Sequence, residues 1–310
     1  MNILVVGGAG YVGGGIVDLL SSKHNVTVYD SLIYENSYRK SVDFIYGDIR
    51  DYQKLNPILK KFDAVIWLAA LVGDGACSIN PVLTHEINSE TVKNLANSFS
   101  GKIVFLSTCS VYGAQEGLLD ENSPVNPLSD YASSKLNAEK YLEDSDAIIF
   151  RLGTLFGIGD LFSRIRLDLV VNILTTRALI DNKMSVFGGD QWRPLLHVKD
   201  VANAIEATVE GDTQGIFNLH HKNYKIIEIA EEIKHKIPKV NIETTPLPFQ
   251  DARNYQVSSE KLYNLTNFKA SIGLEQGINE VYELIDSNRI KDINDPRYSN
   301  QSFLQTFGIK

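Results

Sequence analysis

Tyr131 and Lys135 stand four residues apart in "SDYASSKLNAEKYL", a stretch with helical periodicity, so both side chains project from one face. A phenol with an ordinary pKa near ~10 is a poor base at neutral pH, but a lysine cation about 4 Å away contributes roughly 4 kcal/mol at an effective dielectric near 20, or about three pKa units. The pairing therefore predicts a tyrosine able to exchange a proton near pH 7. Read alone, the same pair also fits an exposed helix with an incidental Tyr and Lys. Upstream, "LSTCSVYG" (106–113) ends an apolar run in a loop carrying Thr108, Cys109 and Ser110, where a structural turn usually has Gly, Asn or Asp. Ligands of open α/β sheets bind outside the carboxyl ends of strands, so this loop and the helix after it belong to one candidate site.

A second constellation lies at the N-terminus. "VVGGAGYVGGGIVDLL" places Gly7, Gly10 and Gly13 after a first strand and at the opening of a helix. Glycine permits the tight turn, the close backbone approach to a pyrophosphate and the close helix packing, while the helix N-terminus offers free N–H groups. The glycine triplet by itself is weak, but "VTVYD" ends a second strand with Asp30, 23 residues beyond Gly7, where a carboxylate binds a ribose 2'-hydroxyl. The same charge repels a 2'-phosphate, so NAD is the expected cofactor. Asp48 in "YGDIRD" is placed to meet an adenine edge, or else is a solvated loop aspartate.

The elements that must position these residues alternate in type. "NILVVGG", "NVTVYD", "FIYGD", "AVIWLAA", "KIVFLST" and "AIIFRLG" are continuously or nearly continuously apolar, as in parallel strands buried on both faces. Between them, 11–22, 52–61, 83–99 and 131–143 show helical periodicity. The pattern predicts an α/β fold with a doubly wound parallel sheet of the Rossmann type over 1–158, followed by a smaller α/β substrate-binding domain over 159–310. The segment near 196–219, with a helix from Val198 to Val209, is expected to return to the sheet. Pro194, Pro238, Pro246 and Pro248 should interrupt shorter elements, and the last twenty residues read as an irregular tail.

Composition narrows the classes. Hydrophobic residues at 44% and charged residues at 22% of 310 fit a globular chain rather than a disordered, fibrous or membrane one. "ILVV" directly after Met1-Asn2 reads as a strand rather than a signal peptide. Two cysteines, Cys77 and Cys109, suit a reducing cytoplasm. A formal charge of -8 argues against nucleic acid, and no stretch is long enough to span a membrane. Six histidines without ligand spacing predict no metal. The loop is not a G-x-S-x-G elbow, which disfavours a hydrolase, and Cys109 has no nearby histidine pattern to make it a nucleophile, so it reads as a packing residue.

Taken together, "GGAGYVG", Asp30, "GDIRD", "LAA" (68–70), "STCSVYG", "YASSK", "RLGTLFG" and "RPLLHVKDV" resemble the extended short-chain dehydrogenase/reductases, in particular the NAD-dependent nucleotide-sugar epimerase and dehydratase branch, over nearly the whole chain. The resemblance implies that Thr108 hydrogen-bonds the reacting sugar hydroxyl, that Tyr131 is the general base, and that Lys135 holds the nicotinamide ribose. It extends the NAD site to Tyr11, Val12, Ile49, Leu68, Ala69, Ala70 and Ser107. It also implies a homodimer formed through the helices at 83–99 and 131–143. In the family's 4,6-dehydratases, Asp and Glu follow the Ser/Thr; here Cys109 and Ser110 stand there, and neither readily acts as acid or base near pH 7. Oxidation of a ring hydroxyl, usually at C4, remains, as a 4-epimerase or a 4-dehydrogenase.

At the substrate end, Arg193 and Arg253 match positions that in the family meet the diphosphate or nucleotide, a task suited to guanidinium forks. The resemblance also sets Thr108, Cys109, Ser110 and Thr154 beside the sugar, although Thr154 stands where the family often has Asn. Gly73, Asp74 and Gly75 are expected to shape the sugar pocket. The loops "LVGDGACSINP" and "LSTCSVYGAQEGLLDE" with "DPRYSN" look most like a subgroup that modifies GDP-heptose in bacterial capsule assembly. The alternatives are a 4,6-dehydratase and a non-catalytic dinucleotide-sensing Rossmann protein.

Overall fold

Runs such as "ILVV" have no polar face to offer to solvent, and the fold covers both sides of the sheet that they build. A computed structural model describes residues 1–160, 162–246 and 253–309; Pro248 lies outside them. The chain opens with β1 (Asn2–Val6), α1 (Gly13–Ser21), β2 (Asn25–Asp30), β3 (Asp43–Tyr46), α2 (Tyr52–Leu59) and β4 (Ala64–Trp67). It continues with α3 (Asp74–Cys77), α4 (Pro81–His85), α5 (Thr91–Ser98), β5 (Lys102–Thr108), β6 (Ala114–Leu119), α6 (Asp130–Tyr141) and β7 (Ala147–Leu152). Next come β8 (Thr154–Phe156), α7 (Val170–Asp181), β9 (Lys183–Phe187), β10 (Trp192–His197), α8 (Val198–Thr208) and β11 (Gly215–Leu219). The last part holds β12 (Lys222–Lys225), α9 (Ile226–Lys236), β13 (Asn241–Thr245), β14 (Asn254–Val257), α10 (Glu260–Thr266), α11 (Leu274–Asp286) and α12 (Asn300–Phe307).

Seven parallel strands form the main sheet in the order β11-β7-β5-β4-β1-β2-β3. The order reverses between β1 and β4, which opens the crevice where doubly wound folds bind ligands. Ile3 and Val5 pack with Ile16 and Leu20 of α1 and Val201 and Ile205 of α8. Leu4 and Val6 join the opposite core with Leu55 of α2 and Val92 and Leu95 of α5. Each fully buried aliphatic side chain of this kind contributes about 1.5–3 kcal/mol, which fixes the strand ends that carry the site. The return near 196–219 consists of α8, which packs on α1, and β11, the edge strand beside β7. Three small sheets, β12-β10-β8, β13-β9 and β14-β6, lie outside the main one.

Three expectations need correction. The helix expected over 83–99 is a run from Pro81 to Ser98 containing a π turn at Glu86–Glu90. That turn directs Asn88 inward, where its side chain accepts from Leu71 N (2.8 Å) and donates to Leu71 O (2.9 Å) and to the Ser134 hydroxyl (3.1 Å). Pro194 does not interrupt an element but lies inside β10, one residue before its pairing with β8 begins at Leu195. The tail is not irregular throughout: α12 is capped by Ser299, whose hydroxyl accepts from Ser302 N, and buries Phe303 and Leu304 in the core beneath α3. Those two apolar side chains fold the tail back over the site.

Candidate active site

All the residues expected at the dinucleotide line one cleft at the carboxyl ends of β1, β2, β4 and β5, from Gly7 and Asp30 to Tyr131 and Lys135. Gly7 adopts φ +83°, and a Cβ there would lie 2.5 Å from Ala69 N; at Gly13 a Cβ would meet Gly8 O at 2.4 Å. The backbone of the first turn therefore lies directly against the β4 loop, and no side chain caps the N-terminus of α1. Asp30 accepts from Ala9 N (3.0 Å) and Leu32 N (2.7 Å) at the rim of the cleft, and burial pushes its carboxyl above the ordinary range. Asp48 is clasped by Arg50, whose Nη2 reaches it at 2.6 Å, and that hydrogen bond holds its carboxyl low. A bare turn, an uncapped helix end and a carboxylate placed for a ribose fit a dinucleotide.

Ser129 caps α6 by accepting from Ala132 N and donates to Asp74 at 2.7 Å, which sets the start of the helix that carries Tyr131 and Lys135. Lys135 Nζ donates to Leu106 O at 2.8 Å and lies over the Phe105 ring. The expected lowering of Tyr131 does not appear in the chain itself. Burial pushes its phenol above the usual value, Cys77 and Asp74 add to the shift, and Arg166 and the Thr108 hydroxyl oppose it. The Lys135 amine is itself driven down to about 8 by burial. Desolvation thus outweighs charge pairing at this tyrosine.

A second cavity adjoins the first. It is lined by Thr154, Arg193 and Arg253, and by Gly73, Asp74 and Gly75 of the β4 loop. Arg253 pairs with Asp74 at 3.0 Å, and its carbonyl accepts from Arg193 Nη1. Thr108, Cys109 and Ser110 line neither cavity. The Thr108 hydroxyl lies close enough to the Tyr131 phenol to favour its ionised form, and it accepts from Ser110 N to cap the following 3-10 turn. The expected place of Cys109 and Ser110 beside a sugar is corrected. The Cys109 thiol points inward to Arg151 O at 3.1 Å, and the Ser110 hydroxyl meets the Tyr255 hydroxyl at 3.3 Å. The turn at Cys109–Tyr112 rotates both side chains into the β6–β14 core.

Sequence reading missed Arg164, Arg166 and Asn300. Arg166, 8% exposed, lines both cavities and is paired with Asp168 at 2.9 Å. Asn300 of α12 donates from its backbone N to Asp168 (2.8 Å) and from Nδ2 to Val72 O (2.7 Å), and its Oδ1 accepts from Arg164. The signal was present as two arginines in "SRIRLD", between β8 and α7, in an acidic chain. Among the described residues, no cluster of His, Cys, Asp and Glu could hold a metal ion, and no helix is long and apolar enough to cross a membrane.

The glycine turn, the Asp30 rim and the reversed strand order define a dinucleotide-binding α/β protein. The chain belongs to the NAD dependent epimerase/dehydratase family, whose pattern matches residues 3–219. It is 28% identical over 283 residues to UDP-glucose 4-epimerase of Lactobacillus helveticus, covering 80% of this chain and 85% of that protein. It is 25% identical over 326 residues to dTDP-glucose 4,6-dehydratase of Streptomyces niveus, with 93% and 94% coverage. The Thermus thermophilus UDP-glucose 4-epimerase structure with NAD superposes with a TM-score of 0.80 at 26% identity, covering 91% of this chain and 98% of that one. The chain is an NAD-dependent enzyme of the nucleotide-sugar epimerase/dehydratase type.

Proposed function

We propose that the chain oxidises the C4 hydroxyl of a nucleotide diphosphate sugar, as a 4-epimerase or a 4-dehydrogenase. The observation that carries this reading is Arg166, which lines both the cleft holding Tyr131 and Lys135 and the arginine-bearing second cavity. An anionic diphosphate held by Arg193 and Arg253 would extend its sugar past Arg166 toward Tyr131. Bound NAD supplies a hydride acceptor and donor. Tyr131 takes the proton of the reacting hydroxyl, the nearby Thr108 hydroxyl favours the phenolate, and the Lys135 cation stabilises it. Lys135 is buried and Tyr131 half-buried at the cleft, which limits the access of water to that proton.

Dehydration is the weaker reading. The two residues after Thr108 carry no carboxylate and turn away from both cavities, so nothing at that position supplies an acid and a base across C5 and C6. A regulatory Rossmann protein would not need the Tyr131–Lys135 pair. The finer substrate proposal is a GDP-heptose of capsule or surface polysaccharide assembly; it rests on the sequence of the two loops and of "DPRYSN", of which residues 72–76 of the first loop and Ser299 and Asn300 line the second cavity. The proposed organisation is an NAD-binding part over 1–158 and a substrate part over 159–310, in a cytoplasmic homodimer. The exposed side chains of Ile79 and of Val82 in α4 lie just ahead of the helical segment 83–99 proposed for that dimer.

The test is Tyr131→Phe assayed with GDP-heptose, UDP-hexoses and CDP-sugars. Loss of nearly all turnover with NAD affinity kept within about threefold supports the reading; full activity overturns it.

A further inference from the structure

The face of α6 that carries Tyr131 and Lys135 continues one turn further to Glu139. The three side chains dock on three consecutive residues of β5. Tyr131 lies near Thr108, Lys135 Nζ donates to Leu106 O at 2.8 Å, and Glu139 Oε1 accepts from the Ser107 hydroxyl at 2.5 Å. Glu139 is only 2% exposed. Its charge is met by Arg151 of β7, whose Nε donates to the two carboxylate oxygens at 3.1 and 3.2 Å and whose Nη2 donates at 2.7 Å. Arg151 Nη1 in turn donates to the Tyr112 hydroxyl at 3.0 Å. A buried ion pair is costly to desolvate, and apolar side chains of similar volume often serve stability as well, so stability alone does not account for it.

We propose that Glu139 is a positioning residue for the reaction: with Arg151 it holds the carboxyl end of β5 through Ser107 and sustains the ammonium charge of Lys135 beside Tyr131. The inference rests on Tyr131 and Lys135 being the reacting pair, as proposed above. The titratable groups acting on Lys135 are Cys77 of α3 and Glu139 on its own helix, with Tyr131 one turn before it on the same helix face and Arg151 of β7 behind Glu139; β5 presents the Leu106 carbonyl and the Phe105 ring. Burial lowers the Lys135 amine to about 8, and Cys77 and Glu139 oppose it. Burial also pushes the Cys77 thiol up to about 12, so the thiol is neutral at working pH. Glu139 is then the anion that counters desolvation of the lysine. Without it, the amine loses its proton at lower pH, and the site loses its cation where it must work.

Carbon-13 labelled lysine in the full chain, with the Lys135 signal assigned by its loss in Lys135→Arg, gives the titration directly. In Glu139→Gln the inflection is expected to fall by about one pH unit or more, and in Glu139→Asp, which keeps the charge, to stay within a few tenths of wild type. The alkaline limb of kcat/KM moves in the same direction by the same amount in the Gln variant and is restored in the Asp variant. Glu139→Gln leaves Arg151 buried without its anion, so Glu139→Gln/Arg151→Gln, with neither charge buried alone, is read in the same way if the single variant fails to fold. A Lys135 inflection that does not move in the folded Gln variant, or that moves equally in the Asp variant, overturns the inference. The titration needs no substrate, so that result counts against Glu139 alone, whereas full activity of Tyr131→Phe counts against the reading beneath it.

Discussion

Gly7→Ala is expected to remove most of the affinity for NAD. The residue sits at φ +83°, where a side chain costs about 1–2 kcal/mol. Its Cβ would stand 2.5 Å from Ala69 N and 2.7 Å from Ala69 Cα, about 1 Å short of ordinary contact. The obstacle is backbone rather than a flexible side chain, and it is tied down: Leu68 N and Ala69 N both donate to Val6 O, at 2.8 and 3.0 Å. Moving it weakens bonds each worth about 1 kcal/mol, so the total reaches about 3–4 kcal/mol, and the turn that approaches the pyrophosphate is displaced. The displaced turn accounts for about 2 kcal/mol of this, so at roughly tenfold per 1.4 kcal/mol NAD should bind about 30-fold more weakly by calorimetry, while the whole cost lowers the melting temperature by several degrees. Gly211→Ala is the control. Its φ is +87°, but nothing lies within 4 Å of the added Cβ, so it bears only the conformational cost and leaves NAD affinity unchanged. If Gly7→Ala binds NAD within threefold of wild type, the close-approach reasoning is wrong.

Three further outcomes are expected. Asp30→Ala should weaken NAD about tenfold while raising the relative affinity for NADP, because a buried carboxylate no longer opposes a 2'-phosphate; fluorescence titration with both dinucleotides checks this. Arg253→Ala, which breaks the pair with Asp74 in the second cavity, should raise KM for the nucleotide sugar about tenfold and leave NAD affinity within twofold, as initial rates and calorimetry would show. Glu280 is opposed by burial, but hydrogen bonds from His197 and Lys199 prevail and hold its carboxyl at about 2, below the unfolded value. A depressed carboxylate stabilises above its unfolded pKa, and that stability is lost as pH falls toward about 2. Wild type should therefore lose melting temperature faster than Glu280→Gln on acidification below about pH 4.5; parallel slopes would refute the linkage.

The main sheet was legible because its strands are continuous apolar runs and its turns carry glycine where the backbone needs it, as at Gly7 and Gly13. Tyr131 and Lys135 were legible as a pair because helical spacing fixes their shared face. Their electrostatics were not: how deeply a helix face is buried depends on what lies over it, and Cys77, Asp74 and Arg166 come from segments distant in sequence. Cys109 and Ser110 were misplaced because a 3-10 turn rotates side chains differently from an extended strand end. The tail held readable signals, Ser299 before the first turn and Gly308 at φ +68° after the last, but only folding shows that Asn300 closes over Asp168 and Arg164. The π turn at Glu86–Glu90 leaves no local trace, since its value lies in directing Asn88 to Leu71 and Ser134.

The central claim is oxidation at C4 without loss of water. It is tested most directly by incubating micromolar enzyme, its bound dinucleotide characterised, with GDP-heptose, UDP-hexoses and CDP-sugars, and following product mass and NADH absorbance together. The expected product is either an isomer of unchanged mass with no lasting NADH, or a ketone lighter by two hydrogens with NADH formed in equal amount. A product lighter by one water would contradict the account and make the chain a dehydratase that acts without the usual carboxylates.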